Sequence, residues 1–141
     1  MYKFSENSLK RMEGVHPKLR KLMELSIKDS PHDFMIVQGV RTAAYQNELY
    51  QQGRTKPGKI VTNCDGYKNK SNHQAKKDGY GHAIDFAIYD PSIIGKIDWD
   101  TTSKYKAVAE HIKAIAKENN INVQWGGDWI KFKDYPHIEL L

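Results

Sequence analysis

Cysteine is almost missing from this chain. Cys64 stands alone, so no internal disulfide can form and a zinc site built from several thiolates is excluded. Arginine is scarce as well: four of the 22 cations, the remaining 18 being lysine. Guanidinium is the group that reads bases and grips phosphates in a bidentate fork, so this shortage argues against specific nucleic-acid recognition. No stretch reaches the roughly 18 consecutive apolar residues that a membrane span needs. The opening "MYKFSENSLKRMEG" has no apolar core of a signal peptide, which predicts a product made in the cytoplasm without membrane insertion.

What is present is a folded protein. Apolar residues make up 39% of 141 positions, with eight Tyr, three Trp and four Phe, far more than a disordered chain carries. That length predicts a single domain, residues 1–141, and nothing in it reads as a repeat or a linker. The formal charge of +5 suits a polyanionic partner such as a bacterial wall.

The periodicity predicts helices and short strands in alternation. "HPKLRKLMELSIKDS" is a helix with Pro17 in its first turn and Leu19, Leu22, Met23 and Ile27 on one stripe. "DFMIVQGV" is a buried strand. "TAAYQNELYQQG" is a second helix, closed by Gly53. Residues 54–80 show little periodicity and read as a long loop, where function concentrates. "GHAIDFAIYD" is a strand and "DPSIIGKIDWD" a turn-rich crossing. "SKYKAVAEHIKAIAKENN" is a helix capped by Ser103, and "INVQW" and "HIEL" are two further strands. Helices at both ends of a small antiparallel sheet make the class α+β.

Six histidines compete for attention. His16 and His32 flank prolines and read as solvated, while His111 lies on the apolar face of the Ser103 helix as a core or boundary residue. His73, His82 and His137 lie near carboxylates. Side chains alternate along a strand, so in "HAIDFAI" Ala83, Asp85 and Ala87 share one face and His82, Ile84, Phe86 and Ile88 the other. His82 and Asp85 therefore point apart. A carboxylate amid "AIDFAI" is costly to bury without a cation or several donors. His73 can swing in from the loop. In "DYPHIEL", His137 and Glu139 share a face, so His137 can meet Asp85 across the sheet with Glu139 behind it as an orienting acceptor. Two imidazoles and a carboxylate form a familiar shell for a hydrolytic zinc with its fourth place open to water. The spacing between His73 and Asp85 names no family by itself.

The motifs taken together do. "Ser71-x-His73 … Gly81-x-Ala83-x-Asp85-Phe86", with "Asp134-x-x-His137-x-Glu139-Leu140" downstream, resembles the zinc D-Ala-D-Ala carboxypeptidase family. Its phage-endolysin branch, the L-alanyl-D-glutamate peptidases that cut peptidoglycan stem peptides, is the nearest likeness, and it runs over nearly the whole chain. The resemblance implies a hedgehog/DD-peptidase-like fold and a Zn2+ cofactor held by His73, Asp85 and His137. It also implies Asp134 as catalytic base and Arg41, in "VQGVRT", near the substrate. Gln46, just over one helical turn beyond, is expected to help position the peptide, and Ser71 and Glu139 to support the ligands.

Two departures stand out. Many relatives place the first histidine where this chain has Asp78, so the assignment to His73 requires "QAKKDGY" to loop out. The short "WGGDWIKFKDYPHIELL" terminus lacks the longer acidic loop of some lysins, which argues against calcium control. The resemblance further implies a monomeric lysin that waits in the host cytoplasm before reaching the wall, with no separate wall-binding domain. A carboxypeptidase trimming terminal D-Ala, and a basic wall- or nucleic-acid-binding module without catalysis, remain as the alternative readings.

Overall fold

The computed structural model describes all 141 residues. In chain order the elements are α1 (Glu6–Arg11), α2 (Pro17–Lys28), β1 (Phe34–Gln38), α3 (Ala43–Gln51), β2 (Ala83–Tyr89), β3 (Ile97–Asp98), α4 (Thr102–Glu118), β4 (Val123–Trp125) and β5 (His137–Leu140). A single 3-10 turn, Gly126–Asp128, comes directly after β4. The strands form one antiparallel sheet in the order β1-β2-β5-β4, with β3 paired to the far end of β2. The α+β expectation holds.

The sheet divides its two faces by the alternation seen in the sequence. Ile84, Phe86 and Ile88 enter the core with Leu19, Leu22, Met23 and Ile27 from α2 and Tyr105, Val108 and Ile112 from α4. Removing apolar surface of this size from water is what holds helices to sheet, and truncating Phe86 to alanine would cost ~3–5 kcal/mol. His111 joins the two long helices, its Nε2 lying 2.9 Å from the carbonyl oxygen of Ser26. Asp85, between Ala83 and Ala87, stands on the opposite face.

Local signals differ in part from the sequence expectation. Helix α1 is an addition to it; at six residues its stripe is too short for periodicity to reveal. Its cap is nonetheless a familiar one, since the Ser5 hydroxyl accepts from the Ser8 backbone N–H. Helix α4 begins at Thr102, and no side chain of its cap residue Thr101 closes it. Ser103 is therefore inside the helix. Asp98 instead braces the turn that leads into the helix, accepting from the backbone N–H of Asp100 and of Thr101, both at 3.0 Å, and pairing with Lys104. Pro17 sits in the first turn of α2, as its locked φ favours. His16 is not merely solvated: its Nδ1 accepts from the Lys18 backbone N–H at 3.1 Å and caps that helix. Gly53 takes φ +82 just after α3, the left-handed geometry that ends helices.

One irregularity prepares the site. Ile36 pairs with Phe86 and Gln38 with Asp85, so Val37 is an extra residue in β1. Bulges of this kind bend a strand and redirect the residues beyond them. In this chain those residues are Gly39, Val40 and Arg41, directly beside Asp85.

Candidate metal centre and active site

Strand register brings the first two groups together. Asp85 on β2 is the direct cross-strand partner of His137 on β5, and Ala83 is the partner of Glu139. Opposed residues on one face have their Cβ atoms about 5 Å apart, within reach of an imidazole and a carboxylate. The His137 Nδ1 lies 3.3 Å from Asp85 Oδ1.

The third group comes from the long loop, which backbone and side-chain bonds fix in place. The Arg41 backbone N–H donates to the His73 carbonyl at 2.9 Å. Ser71 accepts the His73 backbone N–H on its hydroxyl at 3.1 Å, and Gln74 donates its amide to the Gly66 carbonyl at 2.9 Å. The His73 ring then turns inward, with only 2% of the residue exposed. Its Nε2 stands 3.4 Å from Asp85 Oδ1. One ligating atom from each of His73, Asp85 and His137 lies within 4.8 Å of the others, a cluster fit to hold a metal ion.

Every remaining polar atom of these three side chains is engaged from behind. The His73 Nδ1 donates to the Gly39 carbonyl at 2.9 Å; a carbonyl only accepts, so the proton sits on Nδ1 and Nε2 faces the centre with its lone pair. The His137 Nε2 donates to Glu139 Oε1 at 2.7 Å, and the Asn72 amide holds the other Glu139 oxygen at 2.9 Å. Arg41 donates to Asp85 Oδ2 at 3.2 Å and to Gln46 Oε1 at 3.2 Å. Carbonyl and carboxylate acceptors behind ligating imidazoles fix their tautomer and aim, as at known metal sites.

Charge within the cluster obeys the same pattern. Burial pushes the Asp85 carboxyl up, but hydrogen bonds and charge from His137 and His73 outweigh it and hold the group well below the usual carboxylate range. Burial pushes the His137 imidazole down; Asp85 and Glu139 overcome that and raise it to about 9. The site demands positive charge at its centre. A proton meets that demand, and so does a divalent cation. Three converging donors, two nitrogens and an oxygen, make a set that can hold a divalent metal ion.

Asp134 stands beside this cluster, half-buried on the turn that leads into β5. Burial raises its carboxyl above the usual range, and the Asp85 charge raises it further, while His137, His73 and Arg41 pull the other way. Its placement depends on Gly126: the Asp134 backbone N–H donates to the Gly126 carbonyl at 3.0 Å. A Cβ on Gly126 would collide with the Asp134 carbonyl oxygen, so no larger residue fits there. Trp129 covers the metal-site edge of β5, its ring 5.1 Å from that of His137.

The structure gives two of the expected residues different neighbours from those foreseen. Gln46 is fully buried, its amide donating to Thr62 Oγ1 and to the Cys64 carbonyl while its oxygen accepts from Arg41. It braces the arginine and has no surface to offer a peptide. Arg41 commits its guanidinium to Asp85 and Gln46, and its Nε is buried without a hydrogen-bond partner. Ser71 and Glu139 lie where support for the two histidines is needed. His82 stands apart: its Nε2 pairs with Asp78 at 2.7 Å. Cys64 is half-buried and outside the cluster. Sequence reasoning missed Asn72 and Gly39. Asn72 lies inside the Ser-x-His motif, but Gly39 acts through its carbonyl, which no side-chain pattern reports.

Comparison with known proteins agrees with this geometry. The sequence pattern of the family described as phage L-alanyl-D-glutamate peptidase matches residues 1–141. The chain is 37% identical over 145 residues to the peptidoglycan L-alanyl-D-glutamate endopeptidase CwlK of Bacillus subtilis, covering 97% of this chain and 81% of that protein. It is 36% identical over 139 residues to the L-alanyl-D-glutamate peptidase of Escherichia phage T5, covering 99% and 89%. Among solved structures, the L-Ala D-Glu endopeptidase ChiX of Serratia marcescens superposes with a TM-score of 0.75 at 27% identity, over 99% of this chain and 91% of that one. With the match spanning every element that builds the cluster, this chain belongs to the phage L-alanyl-D-glutamate peptidase family.

Proposed function

We propose that this protein is a zinc-dependent endopeptidase that hydrolyses the L-Ala–D-Glu bond of peptidoglycan stem peptides. One observation supports the metal above all. His73 Nε2, Asp85 Oδ1 and His137 Nδ1 converge within 4.8 Å while carbonyl, carboxylate and guanidinium groups hold their opposite atoms. Family membership supports the bond that is cut.

His73, Asp85 and His137 would hold the cation. When bound, zinc would supply Lewis acidity, lowering the pKa of water to ~7 and polarising a carbonyl. The chain's own residues do the rest. Asp134 takes a proton from the attacking water as its oxygen bonds to the L-Ala carbonyl carbon, then returns that proton to the D-Glu nitrogen as the C–N bond breaks. Burial raises its proton affinity above that of an ordinary carboxylate, the direction that favours taking up the water proton. Arg41 fixes the Asp85 carboxylate, leaving one oxygen for the cation. Glu139 and Gly39 keep the two imidazoles in the ligating tautomer. Trp129 walls the site beside His137.

The charge of +5 favours approach to an anionic wall, weakening as salt rises. The lysin route places the protein in the host cytoplasm until a separate pore opens the inner membrane. No helix is long and apolar enough to cross a membrane. Mass spectrometry of digested peptidoglycan tests the assignment. Endopeptidase action frees peptides with an N-terminal D-Glu; release of free D-Ala instead would mark a carboxypeptidase, and no product at all would leave a binding module.

A further inference from the structure

Between Trp129 and Asp134 the chain makes a short excursion whose base is tied and whose tip is apolar. The Gly126 carbonyl accepts from the backbone N–H of both Trp129, at 3.3 Å, and Asp134, at 3.0 Å, closing the excursion at its two ends. The Lys133 ammonium donates to the Gly127 carbonyl at 3.2 Å. Beyond these ties Ile130 is 95% exposed and Phe132 82% exposed, with the exposed Lys131 between them. Phe132 also takes φ +54. A bulky residue in the left-handed region is strained, at a cost of the kind that persists where a site uses it. Folding explains neither feature, since neither side chain joins the core. Paired apolar groups left in water by a fixed turn mark a contact surface.

Position identifies the contact. Phe132 is two residues from Asp134, so their Cα atoms are at most ~7 Å apart. In a stem peptide the L-Ala nitrogen is joined to the lactyl group of the muramic sugar. The sugar therefore begins one residue from the scissile bond, a comparable span. The apolar C–H face of a pyranose lies well against an aromatic ring, and a lysine beside it suits a polymer bearing carboxylates.

We propose that the Ile130–Phe132 turn docks the glycan strand of peptidoglycan, a sugar ring lying against Phe132, so that the enzyme prefers stem peptides still attached to their sugar. This rests on the reading of the metal centre as a stem-peptide endopeptidase. The test compares kcat/KM on a free L-Ala–D-Glu-containing tetrapeptide with that on the same peptide carrying its disaccharide, for wild type and for Phe132→Gly. Glycine accepts φ +54 without strain, so this variant melts at the same or a higher temperature. The proposal expects a wild-type preference for the disaccharide-peptide of about tenfold, as ~1.4 kcal/mol of ring contact gives. Phe132→Gly should lose that preference while keeping its rate on the free peptide, and Phe132→Trp should restore it. Equal wild-type rates on the two substrates, or a Phe132→Gly loss shared equally by both, would overturn glycan docking and leave the peptidase reading standing. A wild type that cuts neither peptide would sink both.

Discussion

Gly39 and His73 are joined by a 2.9 Å hydrogen bond from the imidazole Nδ1 to the glycine carbonyl, and that bond decides which ring nitrogen faces Asp85. The carbonyl is in turn fixed by crowding. A Cβ on Gly39 would collide with the Arg11 carbonyl oxygen, at the end of α1. Gly39→Ala should therefore push the β1–α3 connection off α1, destabilising the fold by ~3 kcal/mol and loosening His73. Thermal melting with and without added zinc checks this; an unchanged melting temperature would show that the backbone yields freely.

Glu139 holds the far side of His137 as Gly39 holds that of His73. Glu139→Gln keeps the size but removes the charge that draws the Nε2 proton. Metal affinity should fall ~10–100-fold, measured by competition with a chromogenic chelator, while the fold survives. Undiminished affinity would show that Glu139 has no part in aiming the ring.

Asp134→Asn should leave metal binding intact and lower kcat by ~10^2–10^4, because the amide cannot accept the water proton. Steady-state kinetics alongside metal analysis separates the two effects. A variant that loses metal along with turnover would recast Asp134 as structural.

Protons and metal compete at His137, and the direction of the effect comes from its pKa. The imidazole is raised from 6.5 to about 9 in the folded protein. In chelator-treated protein its contribution to stability is complete below about 6.5 and disappears as pH rises to about 9. Zinc affinity should move the opposite way, climbing over the same window as the competing proton leaves. Chemical denaturation and zinc titration at about pH 6, 7.5 and 9 read both trends. Stability that rises with pH across this window would contradict the assignment.

Much of this site is legible in the sequence alone. Strand alternation separates His82 from Asp85 and puts Ile84, Phe86 and Ile88 in the core, because a period of two is rigidly imposed by the pleat. The same alternation places His137 and Glu139 together, and the register makes His137 the partner of Asp85. The approach of His73 is legible only through the motif, since loop geometry has no period. Gln46 shows the limit: its helical position says nothing about the loop that buries it, and the Thr62 and Cys64 contacts come from residues with no pattern of their own. The turn that Asp98 braces ahead of α4 is likewise unannounced, because β3, at two residues, leaves no signal, and the helix begins at Thr102 rather than after Ser103.

Zinc content per chain is the most direct test of a cation shared by His73, Asp85 and His137. Purified wild-type protein should carry one equivalent and lose its peptidase activity to a chelator, regaining both on zinc addition. His73→Ala, Asp85→Ala and His137→Ala should each bind zinc far more weakly. Wild-type activity in excess chelator, or an Asp85→Ala variant that keeps its zinc at native affinity, would contradict the shared centre.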